Sequence, residues 1–320
     1  MNKTFFYFCV SLFSVIIIIQ LFIFAVDNKD DESYEKEFNI KYGIFAIVKP
    51  DFLSFSGEEI PIQSSEIWER LDRELLKNIY WQSSTMLFFK KANKYFPIIE
   101  PILKENNIPD DFKYLAVIES GLENVVSPAG AAGFWQILKG TAREYGLEVN
   151  NEIDERYNLE KSTQAACLYL KDAYKMFGNW TLAAASYNMG KAGLRSRMSS
   201  QGATNYYNLH LNSETSRYLF RIIAVKEILT NPLKYGFVFR SKDLYVMPEY
   251  RVLEIDSTIA SLSDFARVNS VNYKLIKYFN PWLRSYYLPD ESRKKYFLKI
   301  PIDSDLVIPE DTKNSTESLN

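Results

Sequence analysis

The sequence holds one histidine, His210, and two cysteines, Cys9 and Cys167. A single imidazole excludes His-rich metal sites, and two thiols cannot build a thiolate zinc site. A Ser-His-Asp triad would have to use His210, which lies in a polar, loop-like stretch, YYNLHLNSE. Charge of one sign is scarce too: 38 Lys+Arg face 40 Asp+Glu, a net −2. That balance leaves no electrostatic footprint for nucleic acid. Chemistry in such a chain falls to carboxylates, hydroxyls and amides, and it calls for no metal and no cofactor. Apolar and aromatic residues, by contrast, are plentiful. Hydrophobic types make up 47% of 320 residues, with Tyr and Phe at 22 each. A disordered chain is therefore excluded, and the length accommodates roughly two domains. Most of the aromatics are expected in the core, and the excess fits a cleft that stacks on carbohydrate.

Residues 5–26, FFYFCVSLFSVIIIIQLFIFAV, form an apolar run that would span about 33 Å as a helix, enough for a bilayer core. One cation, Lys3, precedes it; six acids and two lysines follow between Asp27 and Phe38. The asymmetry predicts a short cytoplasmic N-terminus, a membrane anchor and a body outside. A signal peptide has a shorter apolar region and a small-x-small cleavage site, which Ile23-Phe24-Ala25 only approximates. Cys9 lies in the apolar segment and Cys167 stands alone beyond it, so no intrachain disulfide is expected.

The stretch 42–62 holds a β-like run at Ile44–Val48 followed by turn residues. From about Ser64 to Pro232 the pattern is helical. Ile67, Leu71, Leu75 and Ile79 recur at intervals of four, and Leu159, Thr163, Ala166, Leu170, Ala173 and Phe177 at steps of four and three, up to Gly178. Asp111–Ser120 reads as a short apolar helix. Thr141-Ala-Arg-Glu144 has the form of a capping box opening another. After residue 233 the runs Gly236–Arg240, Tyr250–Ile255 and Tyr296–Ile300 are β-like. They flank two short helical patterns, 261–268 and 271–279, a βααβ arrangement.

Phe112, Leu115, Ala116 and Glu119 fall at i, i+3, i+4 and i+7, so the Glu119 carboxyl shares a helix face with apolar side chains. Burial and a place in the last helical turn both disfavour its charge and raise its pKa. Such a group can donate a proton near neutral pH. Downstream, Ser127-Pro-Ala-Gly-Ala-Ala-Gly133 is a small-residue loop whose backbone can approach a ligand, followed by Phe134-Trp135-Gln136. Ser186-Tyr-Asn-Met-Gly190 places a phenol and an amide before a helix-ending glycine.

Taken together, Glu119-Ser120, GAAGFWQ at 130–136, TAREYGL at 141–147 and SYNMG at 186–190 resemble, in order and spacing, the lytic transglycosylase (SLT, goose-lysozyme-like) family of bacterial murein enzymes. Within it, Trp135, DERYNLEKSTQAACLYLK at 154–171 and ETSRYL at 214–219 are similar to the membrane-bound D branch. The likeness covers roughly residues 64–232. Ser186 departs from the family's usual Ala, and Phe134-Trp135 from the Leu-Met of many relatives. The resemblance implies a mainly α fold: a lysozyme-like helical catalytic domain followed by a small α+β unit. With the composition and patterns above, the expected division is 1–26 anchor or signal peptide, 27–63 linker and short β-like segment, 64–232 catalytic domain, 233–301 C-terminal unit with its linker, and 302–320 disordered tail. The C-terminal unit, with Leu262, Phe265, Val271, Ile276 and Asn280-Pro281, resembles a degenerate LysM module. Ile255-Asp256-Ser257-Thr258 stands there in place of the usual Gly-Asp-Thr.

The function implied is cleavage of the β-1,4 bond between N-acetylmuramic acid and N-acetylglucosamine in peptidoglycan strands, closing a 1,6-anhydro ring without water. Glu119 is then the single acid/base, Ser120 an orienting partner, and Gln136, Tyr187, Asn188 and Tyr218 line the cleft. Trp135 either packs beneath the cleft or touches sugar. The body would work in the bacterial cell envelope, on the periplasmic side. A hydrolytic muramidase on the same scaffold, normally with a second carboxylate, and a non-catalytic peptidoglycan-binding protein are the competing readings. Glu123, Asp154 and Glu155 are not expected to be that second carboxylate.

Overall fold

The computed structural model describes residues 46–289 and 294–302, with two isolated positions, 33 and 306. The apolar segment 1–26, the acidic stretch after it and nearly all of the tail lie outside the described residues. No helix among the described residues is long and apolar enough to cross a membrane. The chain divides into two compact units, 1–48 and 49–320, and the elements numbered below lie in the second.

A two-residue hairpin, β1 (Ser54–Phe55) and β2 (Glu58–Glu59), comes first. In the β-like run Ile44–Val48, positions 44 and 45 lie outside the described residues, and 46–48 form no strand. Helix α1 (Ser65–Tyr80) buries Ile67, Leu71, Leu75 and Ile79, the predicted stripe. Helix α2 (Gln82–Glu105) runs through Pro97 and Pro101. Both prolines are exposed, so the carbonyls they free face solvent rather than going unpaired in the core.

A 3-10 turn at Asp110–Phe112 leads into α3 (Lys113–Ser120), where six consecutive residues, Lys113 to Ile118, are buried. A helix apolar around its whole circumference belongs in the interior, and each fully buried Leu, Val or Phe contributes about 1.5–3 kcal/mol. Gly121, at φ 62°, ends it. Helix α4 (Lys139–Glu144) starts before Thr141, so the expected capping box does not form: Leu138 O already accepts from Ala142 N at 2.8 Å. Helix α5 (Leu159–Phe177) is capped by Asn158, whose Oδ1 accepts from Lys161 N at 3.0 Å, and Gly178 closes it. Next come α6 (Trp180–Met189), α7 (Lys191–Gln201) and α8 (Thr215–Thr230). Helix α8 packs on α1, α3 and α6 and so forms the spine beside the buried α3.

The C-terminal unit is a βααβ fold. Strand β3 (Tyr250–Ile255) pairs antiparallel with β4 (Tyr296–Pro301), Tyr250 opposite Pro301 and Ile255 opposite Tyr296. Between them lie α9 (Leu262–Val268) and α10 (Tyr273–Phe279), capped by Ser261 and Asn272. The expected β-like run Gly236–Arg240 is not a strand, and among the described residues no strand pairs with it. Instead Phe237 and Phe239 pack on Phe89 of α2, with ring centroids 5.2 and 4.8 Å away. The unit is fastened to the helices by main-chain bonds: Asp154 N donates to Trp282 O (2.9 Å) and Arg284 N to Glu152 O (2.7 Å). The Arg284 guanidinium also lies 4.3 Å over the Tyr157 ring.

Candidate active site

Glu119 occupies the last turn of α3, where the interior ends. Its Oε1 accepts a hydrogen bond from the Tyr218 hydroxyl of α8, a side chain 1% exposed. Burial pushes the Glu119 carboxyl from 4.5 up to about 7; the Tyr218 hydrogen bond and the Arg221 charge pull it down, and Glu214 pushes it up. The residue itself is only half-buried, so its carboxyl is not sealed in the interior. Tyr187, in the last turn of α6, feels the same charge. Its hydroxyl donates to Trp135 O at 2.8 Å, and its ring lies edge-on to Tyr169 at 5.1 Å. Burial, then the Glu119 charge, raises both the Tyr187 and Tyr218 phenols well above 10, so they remain protonated donors.

Ser120 bonds to main-chain atoms. Its Oγ donates to Ala116 O (3.1 Å) and Phe134 O (2.8 Å) and accepts from Glu123 N (3.3 Å), tying the end of α3 to the glycine-rich loop. Gln136 sits on that loop at φ 46°. Its Nε2 is taken by Val125 O and Gly133 O, each at 2.9 Å, which leaves the amide oxygen to offer to a ligand. Trp135 is fully buried and donates Nε1–H to Thr163 Oγ1 at 2.8 Å, so its indole packs beneath the cleft. Asn188 is clamped on both sides: Nδ2 donates to Glu214 Oε1 (2.9 Å) and Oδ1 accepts from Thr215 Oγ1 (2.7 Å). The structure thus brings Glu119, Tyr187 and Tyr218 together, with Asn188 joined to them through Glu214. Ser120 and Gln136 shape the adjoining loop.

The loop is anchored from below. Arg156, buried with its bidentate partner Asp154 (2.9 and 2.7 Å), donates Nη1 to Gly130 O at 2.8 Å and Ile137 O at 3.2 Å. Gly133, at φ 80°, passes so close that a Cβ there would stand 1.9 Å from Arg156 O. Neither atom is on a flexible end, so Gly133→Ala forces the loop or the Asp154–Arg156 turn apart. The variant is expected to lose about 2–4 kcal/mol of stability, read as a lowered denaturation midpoint. An unchanged midpoint would show that the loop is not held as described.

Arg221, Glu214 and Thr215 belong to this neighbourhood and were not among the expected site residues. The signal for Arg221 is its place three residues after Tyr218, which puts both on one face of α8; its Nη2 donates to Ile118 O at 2.7 Å. The remaining carboxylates near the loop have other partners: Glu123 pairs with Lys91, Asp154 with Arg156, and Glu155 with Lys161. His210 is exposed, and Cys167 is buried with its thiol pushed up to about 12 by desolvation. Among the described residues no group of three or more His, Cys, Asp or Glu is placed to hold a metal ion.

Residues 96–210 match the Transglycosylase SLT domain family. This chain carries an SLT domain. Residues 251–304, spanning β3 to β4, match the soluble lytic transglycosylase C-terminal LysM-like domain. Over 195 residues the chain is 31% identical to membrane-bound lytic murein transglycosylase D of Escherichia coli, covering 58% of this chain and 42% of that protein. It therefore spans less than half the length of that relative. Among solved structures, the 70 kDa soluble lytic transglycosylase of Escherichia coli is 22% identical, with TM-score 0.38, covering 47% of this chain and 26% of that one. An inactive mutant of the lytic transglycosylase Slt from Pseudomonas aeruginosa is 18% identical, with TM-score 0.37, covering 48% and 26%. Glu119, Gln136, Tyr187 and Asn188 fall inside the matched SLT segment; Tyr218 and Arg221 lie just beyond it.

Proposed function

We propose that the chain is a peptidoglycan lytic transglycosylase with Glu119 as its single acid/base. The observation that carries this reading is one enclosed carboxyl, protonated up to about pH 7 and held by a tyrosine that cannot itself ionise there. The protonated Glu119 gives its proton to the glycosidic oxygen as the bond to C1 of the muramic residue breaks. Positive charge develops on that sugar while Glu119 becomes a carboxylate, steadied by the Tyr218 hydroxyl and the Arg221 charge. The carboxylate then takes the proton of the C6 hydroxyl of the same sugar as its oxygen bonds to C1. The 1,6-anhydro ring closes, Glu119 is protonated again, and no water is consumed. Gln136, Tyr187 and Asn188 border the space in which the glycan lies, and Ser120 holds the loop that carries Gln136. The site of action is the bacterial cell envelope, with the apolar segment 5–26 in the inner membrane and the body on the periplasmic side.

One observation favours a second reading. Glu214 raises the Glu119 pKa by its charge, so two carboxylates share this neighbourhood, and a muramidase would use the second as base or nucleophile. Glu214 is instead hydrogen-bonded to Asn188, an arrangement that Gln can preserve. Under the transglycosylase reading, Glu214→Gln on purified sacculi loses less than about tenfold in rate, since it does no proton transfer. It still yields anhydro ends, and its alkaline limb moves down because a like charge has gone. A loss of about a hundredfold or more, with reducing ends in the unsubstituted protein's products, would establish the muramidase.

A further inference from the structure

A cavity of about 470 Å³ lies between the SLT domain and the LysM-like unit, and neither completes it alone. Lys94, Tyr95 and Phe134 come from the helical side; Tyr278, Trp282 and Phe297 come from the C-terminal side. Three lysines reach it, and they are not equivalent. Lys91 is neutralised by Glu123 and Lys299 by Glu160. Lys94 has no carboxylate partner among the described residues. Its Nζ donates to the Tyr278 hydroxyl at 2.7 Å and lies 5.4 and 5.2 Å from the ring centres of Tyr95 and Tyr278. A phenol and two ring faces hold an ammonium in place without cancelling its charge. Burial pushes the Tyr95 phenol up to about 12, so it adds no negative charge of its own.

We infer that this cavity binds a carboxylate-bearing peptide, with Lys94 as the ligand for the carboxylate and the aromatic walls against its apolar part. One uncompensated positive charge calls for one anionic group. Tyr278 and Phe297, 54% and 53% exposed, present flat apolar surface beside it. On the peptidoglycan reading, on which this inference rests, the fitting source is the acidic peptide borne by the muramic residue. The cavity also has a physical link to the cleft. Glu123 and Phe134, two of its lining residues, are both bonded through their main chain to Ser120 Oγ at the end of the Glu119 helix. The C-terminal unit thereby serves as a wall of a peptide site, held in place by its main-chain bonds to residues 152–154.

Calorimetric titration of the full chain carrying Glu119→Gln, with N-acetylmuramoyl-L-alanyl-D-glutamate as probe, tests this. Saturable binding is expected. Adding Lys94→Met weakens it by about tenfold or more, Lys94→Arg restores it, and affinity for a neutral N-acetylglucosamine tetramer is unchanged in all three. Equal peptide affinity in the three proteins, no saturable binding, or displacement of the probe by inorganic phosphate would overturn the inference. Failure of the peptidoglycan reading shows separately, as sacculi left intact by the protein with Glu119 and Lys94 unaltered.

Discussion

Glu119→Gln is expected to lower turnover of sacculi by about a thousandfold or more while making the folded protein more stable. The two effects have one origin. The carboxyl is held where its charge is disfavoured, so the folded protein keeps a proton that the unfolded chain releases at pH 4.5, until the pH reaches about 7. Across that window the folded state binds more protons, and stability falls as pH rises. Above pH 7 the ionised, enclosed carboxylate costs about 3 kcal/mol relative to a neutral group, taking 1.36 kcal/mol per pH unit. A neutral amide removes that cost. At pH 8 the variant's melting temperature should therefore lie above that of the unsubstituted protein, and the gap should close as the pH is lowered toward 4.5. A variant that is inactive but less stable at pH 8 would mean that Glu119 is structural in its charged form. A variant that stays active would remove it from the chemistry.

Tyr218→Phe is the second large effect. In the proposed mechanism negative charge appears on Glu119 as the glycosidic oxygen takes the proton, and the Tyr218 hydroxyl is a buried donor already aimed at it. A hydrogen bond to a charged group is worth about 1.5–3 kcal/mol, so its loss should lower kcat by about 10- to 100-fold. Because the same bond favours the carboxylate, its removal raises the Glu119 pKa. The alkaline limb of the pH–rate profile should then move up from about 7, which a merely structural loss would not produce. A slower variant with an unmoved limb would mean that Tyr218 supports the fold and not the charge on Glu119. The limb should also move in the opposite direction from that of Glu214→Gln, so the pair of profiles separates hydrogen bonding from charge repulsion at one carboxyl.

The parts of this site legible in the sequence are those set by local periodicity. The i, i+3, i+4, i+7 face placed Glu119 with Phe112, Leu115 and Ala116, and all three are fully buried. Its position in the last turn of the Asp111–Ser120 helix was legible too. The βααβ order of the C-terminal unit was likewise visible, since strand and helix patterns of the expected length alternate there. Contacts made across the fold were not visible. Tyr218 reaches Glu119 over 99 residues of chain, and Arg221 and Glu214 enter through the same helix–helix packing. Ser120 was given by the resemblance as an orienting partner; adjacent residues on a helix point about 100° apart, and its hydroxyl bonds to the loop. The need for glycine at 133 arises from Arg156, 23 positions later, whose carbonyl no local pattern could place. Gly236–Arg240 has strand-forming residues and no strand, because aromatic packing on α2 claimed them.

The central claim is that one carboxyl both gives and takes the proton and that water takes no part. Digestion of purified sacculi in oxygen-labelled water, followed by mass spectrometry of the released muropeptides, tests it most directly. The expected products end in a 1,6-anhydro ring, carry no label and are one water lighter than hydrolysis products. Labelled reducing ends, formed at a rate that depends on Glu119, would contradict the claim and assign the site to a hydrolase.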